Sequence, residues 1–211
     1  SEMCIRDSPA TVARGDPAPS EAVLGAYLRA RVADADGQVA IAAKDYAAAL
    51  PASEGDASVA LRAYREAVQA GDYALAERAA EVLRACGMLP SDAPLLALAA
   101  AARADDRAAA ARALAALDAT PLRILSAPLR AWAALEWKGD PDAALAVQPT
   151  DAVARRFVAE TRALIMIARG NSDQGVAALR PLLGNDQSST DTRIAAARLL
   201  IARHKTDLAR G

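Results

Sequence analysis

Residues 70–76 read Ala70-Gly71-Asp72-Tyr73-Ala74-Leu75-Ala76. A glycine followed by an aspartate, set between two apolar-periodic segments, is the end of one helix and the start of another. Glycine reaches the left-handed conformation that terminates a helix. Aspartate accepts hydrogen bonds from the unpaired N–H groups that open the next. Ala76, four positions after Asp72, lets the two helix axes approach toward the short end of the usual range of about 8–10 Å. The same pattern stands at Gly37-Gln38 with Ala42, at Asp105-Asp106 with Ala110, and at Gly139-Asp140 with Ala144, each 34 residues from the last. A fixed period of that length marks a helical-hairpin repeat, and it decides the fold.

Working outward, residues 57–70 carry Ala60, Leu61, Ala63, Tyr64, Ala67 and Val68 at three- and four-residue spacing, which makes one helical face. Leu75, Ala76, Ala79, Ala80 and Leu83 make the face of the helix that follows. Further columns keep the same step: Tyr46, Ala80 and Leu114; Ala49, Leu83 and Leu117; Tyr27, Leu61, Leu95 and Leu129; Tyr64, Leu98 and Trp132. Pro94 and Pro128 suit the first turn of a helix, where the missing N–H does no harm, and Ser91 or Asp92 is the expected cap of the first of these. After Ala144 the step shortens. The next turn is Gly170-Asn171, 31 residues past Gly139, with Gly175 in the alanine's place. The helix after Asp140 is therefore expected to be cut by about one turn. A weak last copy begins at Lys205-Thr206.

On these residues the chain from about Glu21 onward resembles the tetratricopeptide repeat family. The match lies in the turn and second helix, where Gly71, Asp72, Tyr73, Ala76, Ala80 and Leu83 follow the family pattern. The first helices depart from it: Tyr27-Leu28-Arg29-Ala30 and Leu95-Leu96-Ala97-Leu98 stand where the family has a bulky residue, a Leu-Gly or Leu-Ala pair and an aromatic. The resemblance implies an all-α, right-handed α-solenoid of about five antiparallel helix pairs. It also implies a non-catalytic scaffold that binds a peptide or protein along the concave surface lined by the first helices. Placed on this sequence, that surface takes Arg31, Arg65, Gln69, Arg103, Glu136 and Trp137. Arg31 and Arg65 share the 34-residue step, as do Gln69 and Arg103, and repeated arginines suit acidic side chains or a terminal carboxylate. Tryptophan is a common interaction hot spot, though Trp137 serves equally well as a plug for the shortened fourth unit. The Lys/Asn arrangement with which some family members clamp chaperone tails is absent.

The ends read differently. Ser1-Glu2-Met3-Cys4-Ile5-Arg6-Asp7 matches the in-frame translation of a transposase-type sequencing adapter, so residues 1–8 are excluded from fold reasoning. Residues 9–20, rich in Pro, Ala and Gly, read as a linker. The repeats then fall at about 21–54, 55–90, 91–122, 123–150 and 151–188, with a partial unit over 189–211. An array needs polar caps on its terminal units. A piece cut from a longer array is expected to fray at its last helix and to self-associate through its cut ends.

Composition supports this reading and narrows function. Of 211 residues, 54% are apolar but only 3% aromatic, and alanine exceeds a quarter of the chain. Such a core relies on close helix approach, with little area buried per contact. Basic and acidic residues balance at 25 and 26, which leaves no electrostatic footprint for nucleic acid. The longest apolar run, 95–102, is far below the roughly 20 residues a membrane span needs. Outside the adapter-like segment, Cys86 is the one cysteine and His204 the one histidine, so paired-histidine metal motifs and histidine triads have no residues to draw on. No phosphate-binding glycine loop occurs. Acid pairs such as Asp105-Asp106 sit at predicted turns, where they act as caps. No catalytic residue, metal or cofactor is expected. Two further readings stand beside the scaffold: an accessory region of a longer enzyme, and a self-assembling structural array.

Overall fold

The structure, a computed structural model, describes residues 21–53, 55–184 and 190–205. The expectations for segments 1–8 and 9–20, and for the copy running past Lys205, lie outside the described residues. Among these the chain is all helical, with no strand. The order is α1 (Glu21–Ala35), α2 (Val39–Ala49), α3 (Ala57–Ala70), α4 (Tyr73–Ala85), α5 (Ala93–Arg103), α6 (Arg107–Asp118), α7 (Ser126–Glu136), α8 (Pro141–Ala144), α9 (Ala152–Ala168), α10 (Ser172–Leu183) and α11 (Thr190–Ala202).

The hairpin turn is the repeating element. At the end of α1, α3, α5, α7, α9 and α11, one residue adopts positive φ and the N–H of the next bonds the carbonyl five residues back. The bonds are Gln38 to Ala33, Asp72 to Ala67, Asp106 to Ala101, Gly139 to Ala134, Asn171 to Met166 and Lys205 to Leu200, all between 2.7 and 2.9 Å. The left-handed residues of these six turns are Gly37, Gly71, Asp105, Lys138, Gly170 and His204, and α4 ends in the same way off the period, with Gly87 left-handed and the Met88 N–H on the Leu83 carbonyl at 2.8 Å. This is the helix-terminating motif in which a left-handed residue lets the chain recover two orphaned carbonyls. The steps between the six are 34, 34, 33, 32 and 34 residues.

Two details correct the sequence reading. In the fourth turn the left-handed residue is Lys138 at φ 58°, one before the expected Gly139. Gly139 becomes an extra residue between the turn and the cap, so the caps Gln38, Asp72, Asp106 and Asp140 keep the strict step. The slip is thus shared between two turns. The fourth second-helix is also shorter than expected: α8 has 4 residues against 12 in α6, a loss of about two turns. Pro149 biases Gln148 away from helical backbone, and Asp151 already caps α9 by accepting from the Ala154 N–H at 2.9 Å, so no chain remains to extend α8.

The aspartate caps form as their residues dictate, while the Gln38 and Asn171 side chains make no cap hydrogen bond. The Asp72 carboxylate accepts from the Leu75 N–H at 3.0 Å and that of Asp106 from the Ala109 N–H at 2.8 Å. Pro94 and Pro128 lie in the first turns of α5 and α7.

The chain divides into two compact units, 1–100 and 101–211, with the boundary inside α5. In the first, α1 pairs with α2 and α3 with α4, while α2 packs on α3. Alanine supplies ten of the seventeen buried residues of its core, so the interface depends on close approach and not on bulk. In the second unit, α7 packs on α8, and α9 packs on both α10 and α11. Its cores gather Ala163, Leu164, Ile167 and Leu179, and separately Ala131, Leu145, Val158 and Ile165. The second-helix columns are buried at Ala42, Ala76 and Ala110, at Tyr46, Ala80 and Leu114, and at Ala49, Leu83 and Leu117, whereas Ala144 and the first-helix column of Tyr27, Leu61, Leu95 and Leu129 are only partly buried, as are Leu98 and Trp132. Gly175 continues the alanine column. A Cβ there would lie 2.5 Å from Ile167 Cγ1 and 2.8 Å from the Ala163 carbonyl, so α9 and α10 meet more closely than alanine allows.

Candidate interaction surface

In the first unit, α1 and α3 are joined by Arg62, whose Nη1 donates to Asp34 Oδ2 at 3.4 Å. Arg65 and Gln69 lie one helical turn apart on the exposed side of α3, beside Val68, which is 42% exposed. Arg31 takes the position on α1 equivalent to Arg65. It is exposed, and its Nη1 donates to Tyr27 Oη at 3.2 Å, a bond that raises the guanidinium pKa further above its ordinary value. Tyr27 in turn meets the buried Tyr46 edge-on, with ring centroids 6.3 Å apart. Arg31 and Arg65 thus occupy equivalent exposed positions on α1 and α3, with Gln69 exposed one turn beyond Arg65.

Arg103, Glu136 and Trp137 belong to the second unit. When the left-handed residues set the register, Gln69, Arg103 and Glu136 fall in one column, each two residues before its turn residue, and Arg103 and Glu136 are exposed. Trp137 does not share that column. It caps α7, and its indole Nε1 donates to Asp105 Oδ1 at 2.6 Å. Asp105 is itself the left-handed residue of the preceding turn. Trp137 therefore clasps two successive hairpin turns, a role that needs a donor at the rim of a large ring.

Several polar residues between helices escaped the sequence reading. Glu66 is 7% exposed, and burial together with the neighbouring Asp34 carboxylate pushes its pKa up. The Tyr46 hydroxyl is buried without a hydrogen-bond partner, and burial pushes its pKa up as well. Tyr64 donates to Asp92 at 3.2 Å; burial and that carboxylate hold the phenol well above its usual range. In the second unit the buried Glu160 accepts from Arg156 Nε at 2.7 Å and from Thr192 Oγ1 at 2.9 Å, which ties α9 to α11. Arg169 pairs with Asp142 at 2.6 Å. A sequence signal existed: Asp34 with Arg62, and Tyr64 with Asp92, are each 28 residues apart, while Asp142 and Arg169 are 27 apart. An acid on one unit recurs with its donor just under one period away.

Arg62, Tyr64, Glu160 and Arg169 fasten helices or their ends through these contacts. Among the described residues no group of three or more His, Cys, Asp or Glu side chains is placed to hold a metal ion, and no helix is long and apolar enough to cross a membrane. The Cys86 thiol donates to the Gly55 carbonyl at 3.5 Å, and His204 ends α11 as its left-handed residue. Comparison with family models, with curated proteins and with solved structures gives no match to this chain.

Proposed function

We propose that the chain is a right-handed α-solenoid of about five tetratricopeptide-like helix pairs, serving as a non-catalytic scaffold that holds a protein or peptide partner along its first-helix face. The observation that carries the reading is that one turn ends six helices at steps of 32 to 34 residues, the period of a stacked helical hairpin, with one further copy at Gly87 off that step. Arg31 and Arg65, exposed at equivalent positions of α1 and α3, favour a partner segment carrying carboxylates, since arginine forms forked, charge-assisted bonds with them.

The test uses the full chain as bait. Arg65→Glu inverts the charge of an exposed side chain and is expected to leave the helical circular dichroism unchanged while reducing capture of an acidic peptide by about tenfold, as loss of one good ion pair would. Equal capture by both forms contradicts the assignment of this face. Trp137 is a poorer probe, because its replacement also breaks the bond to Asp105.

A further inference from the structure

The seam between the first two hairpins is polar where the same positions one period later are apolar. Asp34, in the last turn of α1, accepts from Arg62 of α3 at 3.4 Å. Glu66, one turn further along α3, shares a hydrogen bond with Asp34. One period later the places of Asp34, Arg62 and Glu66 are taken by Val68, Leu96 and Ala100. Helices of this chain can thus meet at these positions without charge, and the two carboxyls mark one particular contact.

Their surroundings decide how they behave. Glu66 is buried, and among the described residues the charge that acts on it is that of Asp34. Arg62 is turned to Asp34 and keeps much of its side chain in solvent. On α1, Arg31 is tied to Tyr27. From α2, Tyr46 brings a buried hydroxyl with no protein partner, Asp45 is held by Arg29, and Lys44 is exposed. The charged residues of α4, Glu77, Arg78, Glu81 and Arg84, are exposed as well. A buried carboxyl that meets another acid and no cation keeps its proton more firmly than usual. Burial and Asp34 accordingly hold Glu66 above its ordinary value of 4.5.

We propose that this seam is a proton-operated latch on the first hairpin. With its proton, the Glu66 carboxyl donates to Asp34 and holds α1 and α2 on α3. When the proton leaves to water, two carboxylates face each other in a poorly solvated seam, and α1 and α2 undock together while α3 and α4 stay folded. The first hairpin is suited to local opening, because α1 packs on α2 and the pair meets the second hairpin chiefly where α2 lies on α3. Below pH 4.5 the carboxyl is protonated whether the hairpin is docked or not, and the latch is fully closed. As pH rises the undocked carboxyl ionises first, and docking weakens until the docked one ionises too.

Hydrogen exchange of the full chain between pH 4.5 and about pH 7.5, corrected for the chemical exchange rate at each pH, tests the latch with no partner present. Amides of α1 and α2 are expected to open several-fold more often at the upper pH, with α3, α4, α9 and α10 unchanged. Glu66→Gln keeps a donor for Asp34 and has no proton to lose, so it is expected to abolish the change with unaltered circular dichroism. Asp34→Asn removes the repulsion from the other side of the seam and is expected to shrink the change, which keeps the test open if Glu66→Gln folds poorly. Equal protection of α1 and α2 at both pH values overturns the proposal. A loss of protection shared by all helices overturns it in favour of global unfolding. A pH response that survives at full size in Glu66→Gln, or in Asp34→Asn, assigns the titration to another group and overturns it too.

Discussion

At the residue scale, Gly175 shows how tightly the small-residue column constrains the fold. Glycine inside a helix ordinarily costs about 0.5–1 kcal/mol relative to alanine, so Gly175→Ala would stabilise α10 if space allowed. The added Cβ would instead meet the Ala163 carbonyl at 2.8 Å and Ile167 Cγ1 at 2.5 Å. Backbone cannot retreat as a side chain can, and overpacking of this kind costs about 1–3 kcal/mol. Gly175→Ala is therefore expected to lower stability by roughly 1–2 kcal/mol in urea unfolding; a stabilised variant would show that α9 and α10 stand further apart.

Glu66 makes a second residue-scale prediction. Its folded pKa is raised by burial and by Asp34 from the ordinary glutamate value of 4.5. Below that value both folded and unfolded chains are protonated here, and the contribution to stability is complete. As pH rises through the folded pKa, a buried carboxylate must ionise beside another, and that stability is lost. Glu66→Gln keeps the shape without the charge. It is expected to flatten the stability profile above pH 4.5 and to be the more stable form at neutral pH; identical profiles for the two proteins would mean that Glu66 ionises in the fold as freely as in the unfolded chain.

At the scale of the element, the hairpin turns were the most legible part of the sequence and α8 the least. Glycine or aspartate at the turn, a cap one residue on and a small residue four further are local chemistry, and the backbone follows them at Gly37, Gly71 and Asp105. The fourth turn misled because glycine is the expected left-handed residue, while Lys138 takes that place and Gly139 merely lengthens the link. The shortening of α8 was visible, but its extent depends on Pro149 and on the Asp151 cap, two signals read only in combination. A non-glycine residue in the left-handed region costs about 1–2 kcal/mol. Lys138→Gly is expected to recover about 0.5–1 kcal/mol of that, after glycine's extra freedom in the unfolded chain is counted. Thermal unfolding measures the change, and a lower midpoint would put Lys138 in ordinary helical backbone.

At the scale of the molecule, the period was readable because it is written in turns and small residues, which each unit must satisfy for itself. The polar fasteners were less so, because Asp34 meets Arg62 and Glu160 meets Thr192 across helices, where only a separation near one period announces the partner. The candidate surface was legible in the same uneven way. Arg31, Arg65 and Gln69 stand exposed on first helices as their spacing implies, whereas Trp137 is tied to Asp105 through a contact 32 residues distant. The alanine-rich core of the first unit was foreseeable from composition, since a chain so poor in aromatics has few other ways to close its interfaces.

The proposed repeat rests on one turn that closes six helices at near-constant steps. Solution NMR of the full chain, reading backbone φ from coupling constants and chemical shifts, tests this most directly. Positive φ at Gly37, Gly71, Asp105, Lys138, Gly170 and His204, each flanked by helix, is the predicted result. Negative, helical φ at Asp105 and Lys138, with α5 running on into α6 or α7 into α8, would contradict it.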